Sequence, residues 1–422
     1  MLRQIGPISA LLLASLFLQF AGGINGLILP VRGTAEGFSA FVLGLLGTGW
    51  AVGYVSGCYF SPTLVSRVGH IRSFAILASV AGIAVLASLI FLSPQAWIPL
   101  RAIQGFCFAG TAMIVESWLS ERAEPNTRGR IFGIYTMVNL FASTGGQMSL
   151  TLGDTTTYFY FVLAAMLYSL ALVPTSATTT TSPQPLVSVR LNLRALWRNS
   201  PVAVFAVLMV GVSNSSFGTL AAVYAGRIGL ELKVVALFTS IPILAGALAQ
   251  IPIGIMSDRM DRRKVLILLA VMALLADLSF IILAPQEQAT NLLLASIFGA
   301  AIYAMYPVIV AHANDHAEPG TYIQISGGLL MIYGIGAIVG PLAAGFGMTG
   351  AGPTGLFMTT VVAHVMLIGF ALWRMRQRGE VAASEKTAFV AAPNARGATP
   401  ETASFALGDD DAEPDTAVAE RE

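Results

Sequence analysis

Three ionisable side chains stand far inside long apolar stretches of the chain: Arg101, Glu116 and Asp277. An ionised group at the centre of a bilayer costs about 2.5 to 3.5 kcal/mol on insertion scales, so each needs a partner, water or a task. Gln104 follows Arg101 at i+3, which puts a guanidinium and a carboxamide on one helix face. Facing an aqueous cavity, that pair could hold an anionic or hydroxylated solute; the competing reading is an Arg bonded to carbonyls of a neighbouring helix. Glu116 lies fifteen residues further on, about 22 Å along a helix axis, so it does not pair with Arg101. A carboxyl there suits either proton carriage or a gate, the gate being a helix-end contact with Arg67, Arg128 or Arg130. His312 and Asn314 end a later apolar run. A contact between Glu116 and His312 would respond to pH near neutrality, and ordinary polar solvation at the membrane interface is the alternative. Asp277 reads as a packing hydrogen bond rather than a transport site. Uncharged polar groups inside the runs, among them Asn25, Asn139, Gln147, Asn214, Tyr303 and Tyr306, serve equally as solute contacts or as bonds between helices.

These residues are carried on elements of lipid length. A spanning helix needs about 20 mainly apolar residues, and twelve such runs fall near residues 8–29, 41–64, 73–92, 95–119, 131–152, 157–174, 201–224, 234–257, 265–284, 290–313, 323–347 and 354–373. Helices are expected because a backbone in lipid must satisfy its own hydrogen bonds. Composition agrees. Of 422 residues 55% are hydrophobic and 11% charged, against about 25% charged in soluble proteins. A net charge of +1 offers no basic surface for nucleic acid. Cys58 and Cys107 both lie in apolar runs, no Cys/His spacing suggests a metal, and no H-E-x-x-H or G-x-S-x-G motif marks an enzyme. The glycine pairs Gly47/Gly49 and Gly334/Gly336 lie within helices and not after strands, so they point to close helix packing and to no dinucleotide cofactor.

Basic residues set the expected topology. With the N-terminus inside, nineteen of the 23 Lys and Arg fall on the cytoplasmic side, Arg32, Arg227 and Lys233 outside, and Arg101 within the membrane. The first run is long enough to be retained as a span and not cleaved as a signal peptide. The chain then divides into a six-helix bundle over 1–176, a Thr/Pro/Arg-rich cytoplasmic linker over 177–200, a second six-helix bundle over 201–379, and a tail over 380–422. That tail holds ten of the 22 acidic residues, including Asp409, Asp410 and Asp411. Its composition predicts a disordered cytoplasmic segment that the core does not need.

The loop between spans eight and nine carries Gly254, Asp258, Arg259, Asp261, Arg262, Arg263 and Lys264, and the loop between spans two and three carries Pro62, Ser66, Arg67, Gly69 and Arg72. A short basic loop repeated at equivalent places implies two related halves. Gly254, Asp258, Arg259, Arg262 and Arg263 resemble the G-x-x-x-D-R-x-G-R-R loop of the major facilitator superfamily, with Asp261 in place of its second glycine. Arg101, Gln104 and Gly105 resemble its R-x-x-Q-G motif. The segments Val115–Leu119, Arg128–Arg130, Tyr306–Pro307 and Ala311–Asp315 resemble the YcaD-like branch. The likeness covers about residues 5–375. It implies that the loop latches an outward-open state through an Asp/Arg charge relay with the fourth helix, and Ser66 weakens the first-half copy. It also implies that helices one, four, seven and ten line a cavity, which makes Asn25, Arg101, Gln104, Asn214, Tyr303 and Tyr306 the cavity candidates. Glu116, His312 and Asn314 are the gating or proton candidates. The fifth span lacks the glycine-proline pair of the antiporter motif.

The expected protein is therefore an all-α integral membrane protein of twelve transmembrane helices in two pseudo-symmetric six-helix bundles. As a monomer in a bacterial-type inner membrane, both termini cytoplasmic, it moves a small solute by alternating access and uses no cofactor or metal. Proton coupling is an added element of that reading. A non-transporting receptor that kept the fold is the alternative.

Overall fold

The computed structural model describes residues 2–124, 127–176, 186, 192–318, 320–382, 386–387, 389–391 and 397–402, with side chains described from residue 8 onward. The first six long helices are α1 (Leu2–Ala35), α2 (Ala40–Val68), α3 (His70–Ile90), α4 (Pro94–Arg122), α5 (Arg128–Ser149) and α6 (Phe159–Ser176, broken at Ala171). After a short linker helix, Leu193–Asn199, come α7 (Pro201–Arg227), α8 (Leu232–Arg259), α9 (Arg262–Ile282), α10 (Gln288–Asn314), α11 (Tyr322–Ala351) and α12 (Gly355–Met375). Each of the twelve expected spans falls on one of these helices. Most of the expected linker, 177–185 and 187–191, and the acidic run Asp409 to Asp411 lie outside the described residues.

Eleven of the described helices are long and apolar enough to cross a membrane. The twelfth, α5, is as long but more polar, and its polar face has partners. The Ser15 hydroxyl of α1 donates to Asn139 (2.6 Å), while Thr239 and Ser240 of α8 donate to Gln147 (2.9 Å each). The outer surface is greasy: Ile83, Leu248 and Phe346 are 64%, 71% and 73% exposed. Acyl chains, not water, match such a surface.

Local chemistry sets the helix ends. Ser39 accepts from the Val42 amide and starts α2; Ser200 accepts from the Ala203 amide, and Pro201 follows at the first helical position of α7. Between α2 and α3 the chain turns on Gly69 at φ +85°, where a side chain would be strained. The equivalent position between α8 and α9 is Asp261 at φ −55°, which caps α9 by accepting from the Arg263 amide (2.9 Å). The turn of the second half is built without a left-handed residue, which is why the second glycine of the loop signature is dispensable there.

The halves repeat each other in their crossings. In the first, α1 crosses α5 with Gly23 against the Ser143 carbonyl and Gly146 against that of Phe20; in the second, α7 crosses α11 with Gly211 against Tyr333 and Gly336 against Leu208. Likewise α2 meets α4 at Gly53 and Gly105, and α8 meets α10 at Gly246 and Gly299. These are backbone-to-backbone approaches that lipid solvent favours, because helices there associate by packing and not by exclusion of water. The halves touch at mid-helix, where Gly334 meets Val55, and further toward the face opposite the basic loops. Gly44 sits on the Pro341 carbonyl, Gly345 on that of Ala40, the Thr48 hydroxyl donates to Ile338 O (2.8 Å), and Gln147 bridges to α8.

A Cβ on Gly53 would run into the Ala102 carbonyl, whereas one on Gly26 meets nothing within 4 Å. Gly53→Val should therefore force α2 from α4 and cost about 3 kcal/mol or more. Gly26→Val should leave thermal unfolding in detergent unchanged; equal melting of the two variants would refute this packing.

Candidate substrate cavity and gates

Arg101 and Gln104 do share a face of α4, and what they meet is α1. Gln104 Oε1 accepts from Arg101 Nη1 (3.0 Å) and from Asn25 Nδ2 (2.7 Å), all three residues being buried. This consumes one oxygen and leaves Asn25 Oδ1 and Gln104 Nε2 buried with no protein partner among the described residues. A buried amide oxygen or nitrogen left unbonded costs about 1 to 3 kcal/mol, so an acceptor and a donor held side by side make a place for water or a polar solute. Across the seam Asn214 of α7 donates to the Ile302 carbonyl (3.3 Å), and its Oδ1 too lacks a protein partner among the described residues. Tyr303 packs on Gly246, and Tyr306 meets Tyr333 of α11 edge-on at 5.8 Å. The six cavity candidates thus form a triad in the first bundle and three residues with separate partners in the second.

The cleft between the halves has walls that the sequence reading overlooked. It is a narrow, partly open cleft lined by Trp50, Tyr54 and Cys58 of α2, Tyr333 and Gly334 of α11, and Pro400 of the tail, and none of the six cavity candidates is among its lining residues. Trp50 stacks on Tyr54 at 4.9 Å, and both lean on Phe108 of α4 at 6.0 and 6.2 Å. Positions 50, 54 and 58 recur at i, i+4 and i+8, a stripe legible in the sequence. Expectation ran to helices one, four, seven and ten; α2 and α11 supply much of the wall because they cross at the seam.

Glu116 of α4 is 1% exposed, and its partners are hydroxyls. Tyr135 of α5 donates to Oε1 (3.0 Å), Thr402 to Oε2 (2.9 Å), and Thr399 to the same Oε2. The described contacts do not bring Glu116 to Arg67, Arg130 or His312. His312 belongs to the second bundle, with its ring 4.8 Å from that of His316. Burial pulls the His316 imidazole below its ordinary range, against the opposing effect of its bond to the His312 carbonyl. Asn314 is buried beside it with Oδ1 lacking a protein partner among the described residues.

The loop signature is assembled around Arg262, which is buried. Its Nε and Nη2 grip the Asp315 carboxylate at the end of α10 (2.7 and 3.2 Å), Nη1 donates to Ser257 (2.9 Å), and Asp258 stands 3.3 Å away. Arg263 forks onto Asp261 through Nε (3.0 Å) and Nη2 (2.7 Å). Burial alone would raise the Asp261 carboxyl, but the bonds and charge of Arg263 outweigh it and hold the group below the usual carboxylate range. Gly254 abuts the ring of Phe389. Arg259 ends α8 and takes no part in the grip on Asp315. In the first half Ser66 only bonds back to the Thr63 carbonyl (2.9 Å), so no equivalent of Asp258 exists there.

Asp277 has a packing role of a particular kind. His364 Nδ1 lies 2.7 Å from Asp277 Oδ2, Ser213 Oγ lies 3.0 Å from His364 Nε2, and Thr360 donates to the other Asp277 oxygen (2.6 Å). The order mimics a hydrolytic triad. All four groups are at most 1% exposed, away from the cleft, and they tie α7, α9 and α12 together.

Two like helical bundles meeting along a seam, with an apolar, aromatic-lined cleft between α2 and α11, have the architecture of a membrane transport protein. A sequence profile of the Major Facilitator Superfamily matches residues 11–247 and again 228–406. The chain belongs to that superfamily. It is 24% identical over 380 residues to the uncharacterized MFS-type transporter YcaD of Salmonella heidelberg (strain SL476), an alignment covering 89% of this chain and 96% of that one. The protein of the same description from Salmonella typhimurium is 23% identical with the same coverage. Among solved structures, the nucleoside transporter NupG superposes with TM-score 0.72 at 14% identity, over 88% of this chain and 98% of that one. A bacterial homolog of the human lysosomal transporter Spinster, inward-facing and occupied, gives 0.72 at 15% identity over 90% and 97%. The fold and the YcaD-like resemblance read from the sequence are borne out.

Removing Asp315 leaves the buried Arg262 guanidinium with neutral oxygens and, as its counter-charge, only the half-exposed Asp258 carboxylate at 3.3 Å. Asp315→Ala should destabilise by roughly 3 kcal/mol. Asp258→Ala, at a carboxylate 45% exposed, should cost under about 1 kcal/mol. Melting curves of the two purified variants check the ranking.

Proposed function

The protein is a secondary transporter for a small solute, and we propose that the solute binds between the Asn25–Arg101–Gln104 triad of the first bundle and Asn214, Tyr303 and Tyr306 of the second. The single observation that carries this is the set of buried amide atoms without a protein partner among the described residues, Asn25 Oδ1, Gln104 Nε2 and Asn214 Oδ1; the stacked rings of Trp50 and Tyr54 wall the cleft between α2 and α11. Such walls suit a planar ring, and a fixed donor and acceptor suit a solute with hydroxyl or amide groups. Arg101 spends part of its hydrogen-bonding capacity on Gln104, so it is a positioning group for the amides as well as a source of positive potential for an anionic solute.

Movement follows the two-bundle architecture: residues 1–176 and 201–379 rock about the seam, joined by the linker 177–200, with the tail from 380 onward following the second bundle. The basic face is assigned to the cytoplasm, both termini with it, on the positive-inside pattern, and the membrane to the bacterial inner membrane. Glu116, His312 and Asn314 are read as gate residues on the basic face. Proton coupling rests on Glu116. The chain is read as a monomer without catalytic activity, and the fully enclosed Ser213–His364–Asp277 chain supports structure over hydrolysis. No observation favours a signalling role.

Purified protein in liposomes, offered nucleosides, sugars, organic acids and aromatic amides with and without an imposed pH gradient, should accumulate one class. Gln104→Leu and Arg101→Ala should each cut that flux by about tenfold or more, as loss of a buried polar contact to solute does. Undiminished flux in both would move the solute site elsewhere, and uptake indifferent to the pH gradient would remove the proton.

A further inference from the structure

The described parts of the tail are not free of the core, although its composition predicts disorder. They bind it in two places, one on each bundle. On the second bundle, the Thr387 amide and hydroxyl donate to Asp315 Oδ1 (3.0 and 2.9 Å), the Thr387 carbonyl accepts from Arg262, and the Lys386 ammonium donates to the Met260 carbonyl (2.5 Å). The Phe389 amide donates to Asp258 (3.2 Å), and its ring covers Gly254, where a Cβ would stand 2.6 Å from it. On the first bundle, Tyr54 donates to the Ala398 carbonyl (2.6 Å), and Thr399 and Thr402 donate to Glu116. Within this second anchor Pro400 lines the seam cleft. Ala398, Thr399, Glu401 and Thr402 are each at most 5% exposed, as buried as the core helices.

The direct contacts between the bundles described above lie at mid-helix and toward the face opposite the basic loops. On the basic face the two bundles are joined by this strap. We propose that the mouth formed by Tyr54, Glu116 and Tyr135 is a binding site for the chain's own segment 397–402, and that this segment is a tethered plug which closes the cleft on the basic face. The chemistry fits the occupant. A buried carboxylate needs donors; Tyr135 gives one and the paired threonine hydroxyls, one helical turn apart, give two more. Both hydroxyls are neutral donors; the segment's one carboxylate, Glu401, is buried along with them. Its tether to the second bundle raises its local concentration to the millimolar range typical of short linkers, so modest contacts suffice to hold it. With the plug seated, the opposite face is shut by α2 on α11 and the basic face by the tail, and the cleft is occluded from both sides.

Cys58 reports on this directly, because it lines the same cleft as Pro400, and the other cysteine can be removed as Cys107→Ala. In that background, a charged maleimide added to the purified protein should modify Cys58 about tenfold faster in a chain ending at Gly379 than in the full chain, as expected where a local closure sets reactivity. T399V/T402V in the full chain should speed labelling in the same direction, and it keeps the test alive if the truncated chain does not fold. A third measurement needs no release: in the Cys107→Ala full chain with Pro400→Cys, a short bifunctional maleimide should join the new thiol to Cys58 within one polypeptide. Equal labelling rates in all chains, or no such bridge, overturns the plug. These readouts use no solute, so their failure leaves the solute-cavity reading standing, while flux in Arg101→Ala judges that reading alone.

Discussion

A polar group inside a bilayer has no water to fall back on, and nearly every buried polar side chain of this protein is placed by that constraint. A carboxylate such as Asp277 survives at the centre of the second bundle because His364 and Thr360 take both its oxygens. Glu116 survives on three hydroxyls. Such networks fix which helices meet, since breaking one strands a charge at a cost of several kcal/mol. Side chains left short of partners are then the informative ones. Asn25, Gln104 and Asn214 keep unbonded amide atoms in the middle of the molecule, where the same constraint says something else must complete them.

Apolar packing does the complementary task of deciding which surfaces can slide. Within each half the crossings are glycine against carbonyl, as at Gly53 on Ala102 or Gly336 on Leu208, and these approaches are too close to open without separating whole helices. Between the halves, contact is made by Gly44 and Gly345 on α2 and α11, with a few hydroxyl bonds at Thr48 and Gln147. That seam carries no ion pair among the contacts described, so a rocking motion has only packing and neutral hydrogen bonds to exchange. Rigid halves and a soft seam are what alternating access needs.

Much of this was legible beforehand, for identifiable reasons. Lipid-length runs dictate helices by number and place, and the i+3 spacing of Arg101 and Gln104 correctly put them on one face. Their partner Asn25 lies 79 positions away, and nothing local announces it. The stripe Trp50, Tyr54 and Cys58 was visible, but an aromatic stripe on a spanning helix equally well faces lipid, and only the crossing of α2 with α11 turns it into a cleft wall. The same holds for the Ser213–His364–Asp277 chain, whose members come from three helices. Thr399 and Thr402 were the least legible of all. In a polar, acidic tail two threonines three apart mean nothing until a buried carboxylate is found opposite them.

The unequal state of the two loop signatures explains where the tail can dock. In the first half Ser66 has replaced the acidic residue and turns back on its own helix, so that loop offers no acceptor. The second half keeps Asp258 and Asp315 around Arg262, and Asp261 takes Arg263 out of competition by forking onto it. Asp315 Oδ1, held by Arg262 at 3.2 Å, has room for Thr387 as well, and the half-exposed Asp258 accepts from Phe389. A loop that by family likeness engages the bundle in one state is thus also the mooring of the strap in this one. Any rearrangement that drew Asp258 or Asp315 toward new partners would compete with Thr387 and Phe389 for the same oxygens, and so couple loosening of the tail to the motion of the bundle that carries it.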